Sequence, residues 1–377
     1  MIMKNFNLLQ ILPSLESGGV EKGSLDLANF LSSKNINSYI ISNGGRMISQ
    51  LNKKNITHIT LPVHSKNIFT MFLTARKINK IIKNNHINIV HVRSRAPAWM
   101  LKFIKIKSFQ TISTFHNIYG SEFFLKKKYN LAMSSVDKIV AISEFVKSSI
   151  IKLYQIDSKK ITVIHRGIDT DFFAPILKIN DDIKKFLIKF NLPPDKKIIL
   201  FPGRLTEWKG QVSFLNVLEQ YNSNEILCYF VGDDKNLSYT KKLFQEIKKR
   251  KLDNVCRITG QISQNNLKLF YFCSDVIISA PLKPEGFGRV ISEGLSMKKI
   301  VLSYNYGGAK EQLADLDSIL KIAPHDQTDL KNKIDRVFKL SSSYKERIGS
   351  ISRNHIINNF SKEKMLNKYL NLYKRTI

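Results

Sequence analysis

The feature that most limits what this chain can become is an alternation of two kinds of segment. "NLLQIL" (7–12), "INSYIIS" (36–42), "INIVHV" (87–92) and "DKIVAIS" (137–143) have the continuous apolar character of strands buried on both faces. Between them, "GGVEKGSLDLANFLSSK" and "IFTMFLTARKINKIIKNN" predict amphipathic helices. The pattern restarts at "KKIILFPGR" (196–204) and runs through "EILCYFVGD" (225–233), "VCRITG" (255–260), "DVIISAP" (275–281) and "IVLSYNYGG" (300–308). Strand–helix alternation of this kind requires a parallel sheet with helices on both faces. At 377 residues the chain exceeds one ordinary core. It therefore predicts an α/β protein of two Rossmann-like domains facing each other across a cleft.

The seam is expected near "RGIDTDFFAP" (166–175), followed by a linker-like stretch that includes "NLPPDKK" (191–197). The division is then residues 1–172 for an N-terminal domain and 173–357 for a C-terminal domain. Residues 358–377 make a final helix, with Phe360, Met365, Leu366, Tyr369 and Leu370 at near-helical spacing. Its apolar stripe must be buried on one half or the other, and packing back on the N-terminal domain is one arrangement.

Charge narrows the partners. The 60 Lys and Arg against 30 Asp and Glu leave a formal +30. Such a field attracts polyanions, either nucleic acid or the anionic cytoplasmic leaflet of a membrane. Drift toward lysine codons in an AT-rich genome is the alternative source of the excess. No nucleic-acid-binding module is recognisable, so nucleic acid is not an expected partner. No stretch approaches the ~20 apolar residues that span a bilayer, and "MIMKNFNLLQILPSLESGG" reads as a first core strand rather than a signal peptide. The three cysteines, Cys228, Cys256 and Cys273, have no metal-type spacing, and their odd number argues against a disulfide scaffold. A reducing cytoplasm fits them.

Open α/β sheets bind ligands at the carboxyl ends of their strands, so the residues there are the candidates. Gly18 and Gly19 follow the first strand, where a backbone can approach an anion; they do not form the G-x-G-x-x-G of a nicotinamide dehydrogenase. "STFHNIYG" puts His116 at a strand end. "HVRSRAPAW" supplies Arg93 and Arg95 beside Trp99, suited to an anionic partner with an apolar part. In "FPGRLTEWKG", Arg204 and Lys209 offer a guanidinium fork and a point charge on a glycine-flanked loop, which suits a diphosphate.

"PEGFGRVISEGL" (284–295) carries the most specific pattern. Were Glu285 and Glu293 both helical, they would lie ~12 Å apart along the axis and ~80° apart around it, too far to grip one small group. With Glu285 on the Gly286–Gly288 loop and Glu293 in the helix, both can face a ligand across the helix N-terminus. Free N–H groups there favour an anion.

Taken together, "GGVE", "HRGIDTDFFAP", "GRLTEWKG", "VGD" and "PEGFGRVISEGL", in that order from 18 to about 311, resemble family 4 retaining glycosyltransferases of the GT-B fold. "SRAPAW" also resembles a segment of bacterial members assigned to lipopolysaccharide core or other envelope glycans. The resemblance implies transfer of a sugar from a nucleotide-sugar donor to a glycan or lipid-linked acceptor, with no cofactor and no metal. By carry-over, Arg204 and Lys209 hold the diphosphate and Glu293 accepts from the ribose hydroxyls. Glu285 lies near the donor sugar, with Gly286, Phe287 and Gly288 offering backbone N–H groups. Gly18–Gly19 closes on the phosphates, His116 meets sugar or acceptor, and the base lies near "RITG" (257–260). Glu285 and His116 are the expected catalytic pair, and Arg93 and Arg95 meet the acceptor. The expected location is cytoplasmic, peripheral on the inner face of the plasma membrane, through lysines of "LKFIKIK" (101–107) and "LKKKYN" (125–130). A GT-B sugar-nucleotide epimerase and a non-enzymatic polyanion-binding protein are the alternative readings.

Overall fold

The computed structural model describes residues 6–16, 18–104, 108–120 and 124–377, the side chains of 124–126 excepted. The chain divides into two compact units, Met1–Arg166 together with Glu363–Ile377, and Gly167–Lys362. Each is built on one parallel sheet.

In the first unit the strands are β1 (Leu8–Ile11), β2 (Ser38–Ser42), β3 (Ile56–Thr60), β4 (Ile89–Val92), β5 (Gln110–Phe115), β6 (Lys138–Ala141) and β7 (Ile161–Val163). They lie in the order β3-β2-β1-β4-β5-β6-β7. The crossovers carry α1 (Gly19–Ser33), α2 (Ile68–Asn84), α3 (Arg95–Leu101), α4 (Phe124–Asn130) and α5 (Glu144–Tyr154). β1 and β4 are buried along their whole length, as central parallel strands must be. One face of the sheet carries two adjoining clusters, and α1 contributes to both. In the first, Ile40 packs with Leu12, Leu25, Ala28 and Met47. In the second, Leu8, Ile89, Ile112 and Val140 are closed by the last helix of the chain through Met365, Leu366, Tyr369, Leu370 and Tyr373.

In the second unit, α6 (Asp181–Lys189) precedes β8 (Lys197–Pro202) and α7 (Gln211–Leu218). Then come β9 (Ile226–Val231), α8 (Leu237–Lys249), β10 (Cys256–Gly260), α9 (Gln264–Cys273), β11 (Val276–Ser279) and α10 (Arg289–Ser296). β12 (Val301–Tyr304), α11 (Gly308–Leu313), β13 (Lys321–Ile322), α12 (Gln327–Lys339) and α13 (Ser342–Phe360) complete it, and α14 (Lys362–Thr376) returns to the first unit. The sheet order is β10-β9-β8-β11-β12-β13. The stretch read as a linker is instead structured. Asn180 caps α6 by accepting from the Ile183 N–H, and Phe186 and Phe190 each sit 4.8 Å from the Phe270 ring.

Where α14 meets the sheet, it buries polar groups as well as apolar ones. His91 in mid-β4 hydrogen-bonds the Tyr373 hydroxyl through Nδ1 (2.6 Å) and the Thr114 hydroxyl through Nε2 (2.7 Å). Tyr369 reaches Thr114 and Arg93, and Arg93 Nη2 donates to Gln10 Oε1 (2.7 Å). Burial, and next the nearby Arg93 and His116, hold the His91 pKa well below its ordinary value. Below the unfolded value of about 6.5, the unfolded chain binds a proton that folded His91 refuses. Stability is therefore full above that pH and declines as pH falls through it toward the lowered folded-state pKa. Thermal unfolding should show a lower Tm at pH 5 than at pH 7, and the gap should narrow in His91→Gln. A Tm that is the same at both pH values contradicts the assignment.

Candidate active site

A parallel sheet whose strand order reverses leaves a crevice at the carboxyl ends of the two strands flanking the reversal. The reversals fall between β1 and β4 in the first unit and between β8 and β11 in the second. The helices that follow these four strands share a property. α1, α7 and α10 begin at Gly18, Gly210 and Gly288, and α3 begins at Ser94, and in none of the four does the capping residue's own side chain bond the first turn. Elsewhere Asn67, Ser143, Asn180, Asn236, Ser263, Asp326 and Ser341 cap their helices in the usual way. In α7 the Tyr239 hydroxyl accepts from the Val212 N–H (3.2 Å); the other early N–H groups at the switch points are open to water or an incoming acceptor.

In the second unit the loops after β8 and β11 interlock. Leu282 N–H donates to the Trp208 carbonyl (2.7 Å), and a Cβ on Gly210 would stand 2.5 Å from the Ala280 oxygen. Across this junction Lys209 forms an ion pair with Glu285, the two side chains 14% and 12% exposed. The Lys209 side chain lies over Gly203, where any side chain would meet it, and its ammonium is 4.8 Å from the Trp208 ring centre. Arg204, on the same loop, is exposed. The structure thus brings Arg204, Lys209 and Glu285 to one sheet edge.

The Glu285–Gly288 loop is fixed from behind. Gly308 N–H donates to the Glu285 carbonyl (2.9 Å), and Gly307, at φ 58°, passes so close that a Cβ would stand 2.7 Å from that oxygen. Buried Gln312 donates to the Phe287 carbonyl and accepts from the Ser292 hydroxyl, tying loop to helix. Gly288 has φ 86°, a conformation glycine adopts freely, and turns the chain into α10. The N–H groups of Gly286, Phe287 and Gly288 have no acceptor among the described residues. The Phe287 ring is buried, 5.8 Å from Phe360, so only its backbone faces the loop.

Glu293 is buried one turn into α10. Its Oε1 is 2.6 Å from Arg289 Nη2 and its Oε2 accepts from the Tyr271 hydroxyl (2.9 Å). Burial, and then the adjacent Glu293 carboxylate, push the Tyr271 pKa well up, so the phenol stays a donor. Each carboxylate oxygen thus has one protein partner, which fixes the orientation of the group. Tyr271 and Gln312 lie outside every motif, and Arg289 lies inside the Glu285–Glu293 motif at a position to which the resemblance assigns no role.

In the first unit, Gly18 and Gly19 form the turn into α1, and a Cβ on Gly18 would stand 2.6 Å from Glu21 Oε2. Burial raises the Glu21 pKa, a backbone hydrogen bond opposes it, and Arg166 opposes it further. Both ring nitrogens of His116 are buried without a hydrogen-bond partner among the described residues. Burial first, then Arg166 and Arg93, lower its pKa well below the ordinary value and keep the imidazole neutral at pH 7. Arg93, expected to face the acceptor, is instead buried, its guanidinium bonded to Gln10 and Tyr369 and its Nε without a partner among the described residues. Arg95 is half-exposed, stacked over Tyr119 at 4.7 Å and bonded to Asn130 (3.1 Å). It lines a cavity of about 610 Å³ with His64, Lys66, Ser94 and Tyr129. Among the lysines expected at a membrane, Lys105 and Lys107 and the Lys126 side chain lie outside the described residues; Lys128 is exposed.

Two parallel α/β units, each with a reversal of strand order, are shared by many activities, and comparison with known proteins makes the class specific. Residues 17–172 match the family model for Glycosyltransferase Family 4, and residues 182–355 that for glycosyl transferases group 1. A glycosyltransferase from Rickettsia africae ESF-5, known from its crystal structure, is 37% identical, with a TM-score of 0.89 over 99% of each chain. The chain belongs to the family 4 glycosyltransferases and has the GT-B fold. The capsular polysaccharide biosynthesis glycosyltransferase CapM of Staphylococcus aureus is 24% identical over 377 residues, 96% of this chain and 95% of that one. HepE of Anabaena, solved with UDP and glucose, has the same fold at 17% identity (TM-score 0.82, covering 98% and 99%).

Because Gln312 alone links the Phe287 carbonyl to Ser292, its loss leaves buried polar groups unsatisfied. Gln312→Ala should lower stability by about 1–3 kcal/mol, measured by urea unfolding. Gln312→Glu, which keeps one acceptor but loses the donor, should recover little of it.

Proposed function

We propose that the chain transfers a hexose from a nucleotide-sugar to a cell-envelope glycan or lipid-linked acceptor of the lipopolysaccharide-core kind, with retention of anomeric configuration. The observation that carries this reading is the Lys209–Glu285 pair at the β8/β11 switch point, beside exposed Arg204 and the uncapped start of α10. As the bond from sugar to diphosphate breaks, negative charge collects on the leaving phosphate. Fixed cations and N–H dipoles aimed at that oxygen lower the barrier without reorganising. Arg204, Lys209 and the amides of Gly286–Gly288 are assigned that work. The neutralising charge in this reading comes from side chains and a helix N-terminus, so no metal and no cofactor is assigned. Glu285 holds the ammonium in register and is placed beside the donor sugar. Glu293, already oriented by Tyr271 and Arg289, is assigned to the ribose hydroxyls.

On the first unit, neutral His116 has two nitrogens without a partner among the described residues to offer a hydroxyl, one as donor and one as acceptor. The Arg95 cavity is lined by Lys66 and His64 as well as Tyr129 and Pro13, a mix of basic and apolar groups that suits an acceptor carrying phosphate on an apolar or sugar body. Relatives support the choice of substrates: HepE is a protein solved with UDP and glucose, and CapM is named for capsular polysaccharide biosynthesis. Attachment to the inner face of the plasma membrane completes the proposal. No helix among the described residues is long and apolar enough to cross a membrane.

The donor is found by melting the protein with UDP-, GDP- and ADP-sugars. A ligand at about 100 times its Kd stabilises by ~2.7 kcal/mol, so one nucleotide series should raise Tm and the others not. With that donor, Lys209→Ala and Arg204→Ala should each reduce turnover by about 10²-fold; both should remain folded, the Lys209 variant with a lower Tm because Glu285 loses its partner. Turnover within twofold of wild type in both variants removes the assignment.

The stereochemical part has its own test. Proton NMR of the first product formed should show the anomeric configuration of the donor, and an inverted product would falsify the retaining mechanism while leaving the donor site intact.

A further inference from the structure

Helix α2 leaves an unusual face uncovered. Met71, Ala75, Ile78 and Ile82 turn toward the sheet and are buried, yet Ile68, Phe69, Phe72 and Leu73 are 72%, 68%, 38% and 42% exposed. At 100° per residue these four share one side of the first two turns. Arg76, Lys77, Lys80 and Lys83 continue the same side in the next two and are exposed as well. Arg76 covers the Phe72 ring at 4.6 Å, and Phe103 meets that ring edge-on at 6.1 Å. An apolar end followed by a basic flank is the layout of a surface that lies on lipid, with apolar groups among the acyl chains and cations at the headgroups.

The charge around this face says what covers it. Residues 27–121 contain 14 Lys and Arg and not one Asp or Glu. The first unit as a whole has 29 basic and 8 acidic residues, a formal +21; the second has 31 and 22, a formal +9. Basic residues are thus spread evenly, as codon drift would spread them. The carboxylates are what the first unit lacks, and a drift toward lysine does not remove them. A protein partner that buries four apolar side chains needs complementary shape, whereas an anionic bilayer needs only this charge and an apolar tip.

We infer that the first two turns of α2, with Ile68, Phe69, Phe72 and Leu73, dock on an anionic lipid bilayer, and that Arg76, Lys77 and Lys80 bind its headgroups. The surface replaces the 101–107 and 125–130 lysines as the principal contact. It also accounts for the position of Lys66, which lines the Arg95 cavity two residues before the helix begins. A bilayer touching Ile68 brings the phosphate of a lipid-linked molecule close to that cavity. The inference rests on the proposed membrane attachment but not on the transfer chemistry.

Co-sedimentation with phosphatidylcholine vesicles, with and without phosphatidylglycerol, tests it on the full chain. Wild type should bind only the vesicles containing phosphatidylglycerol, and salt should weaken the binding. Ile68→Ser with Phe69→Ser should weaken it about tenfold or more at unchanged Tm, since both side chains are already in water. Arg76→Gln, Lys77→Gln and Lys80→Gln together should weaken it by about fivefold per charge. The inference is overturned if wild type ignores anionic vesicles at low salt. It is overturned equally if the Ile68/Phe69 variant binds within twofold of wild type, or if wild type is a dimer that this variant dissociates. Donor-induced stabilisation, measured on the same variants, should be unchanged; its absence in wild type would count against the transferase reading alone.

Discussion

A parallel strand can be followed by its neighbour only after the chain has crossed back over the sheet. Every strand therefore delivers its following loop to the same edge, and where the crossovers change direction two such loops open side by side. In the second unit this brings Lys209, after β8, against Glu285, after β11, although they are 76 residues apart. The ion pair between them is the visible result of that topology. Broken on one side, it would leave a mostly buried charge uncompensated, a costly state. The tightness of the loops around it, at Gly210 against Ala280 and Gly307 against Glu285, keeps the pair from relaxing outward.

Uncapped helix starts form a second consequence of the same edge. Serine, asparagine or aspartate caps a helix by offering its own oxygen to the first-turn amides, and in doing so it occupies the place an anion would take. The helices after β1, β4, β8 and β11 forgo that stabilisation, about 1 kcal/mol for each cap. Away from the switch points, α2, α5, α6, α8, α9, α12 and α13 keep it, while α11, which begins at Gly307 behind the Glu285 loop, does not.

Much of this was legible in the residues. The alternation gave both sheets, and Arg204, Lys209 and the Glu285 loop were marked by glycines that a packed loop needs. Strands β3, β7 and β13 were not seen, for a common reason. "ITHIT" is only half-buried and "ITV" and "KI" are too short for periodicity to register. Helix α6 was hidden because its polar face dominates a nine-residue span and only Ile183 and Phe186 are buried. Arg93 and Arg95 stand two apart in one motif, yet one is locked in the core and the other stacks at a cavity. No local pattern separates them, because the difference is made by Gln10 and Tyr369, far away in the chain. Likewise Tyr271, which bonds Glu293, and Gln312, which ties the Glu285 loop to α10, act from positions that carry no signature of their own.

The packing of α14 has a bearing on how the chain comes to be folded. Tyr373 and His91 are hydrogen-bonded across 282 residues, and five apolar or aromatic side chains of α14 fill one face of the first sheet. A growing polypeptide reaches the end of β7 long before α14 has been made. Until then His91, Arg93 and Thr114 have no tyrosine hydroxyls to bond, and the groove they line stands open to water. The first unit is thus assembled from the two extremes of the chain and can mature only after the second has been synthesised. Cutting the gene at the boundary between the units would yield a fragment with an exposed apolar trough, prone to association, rather than a miniature of the native unit.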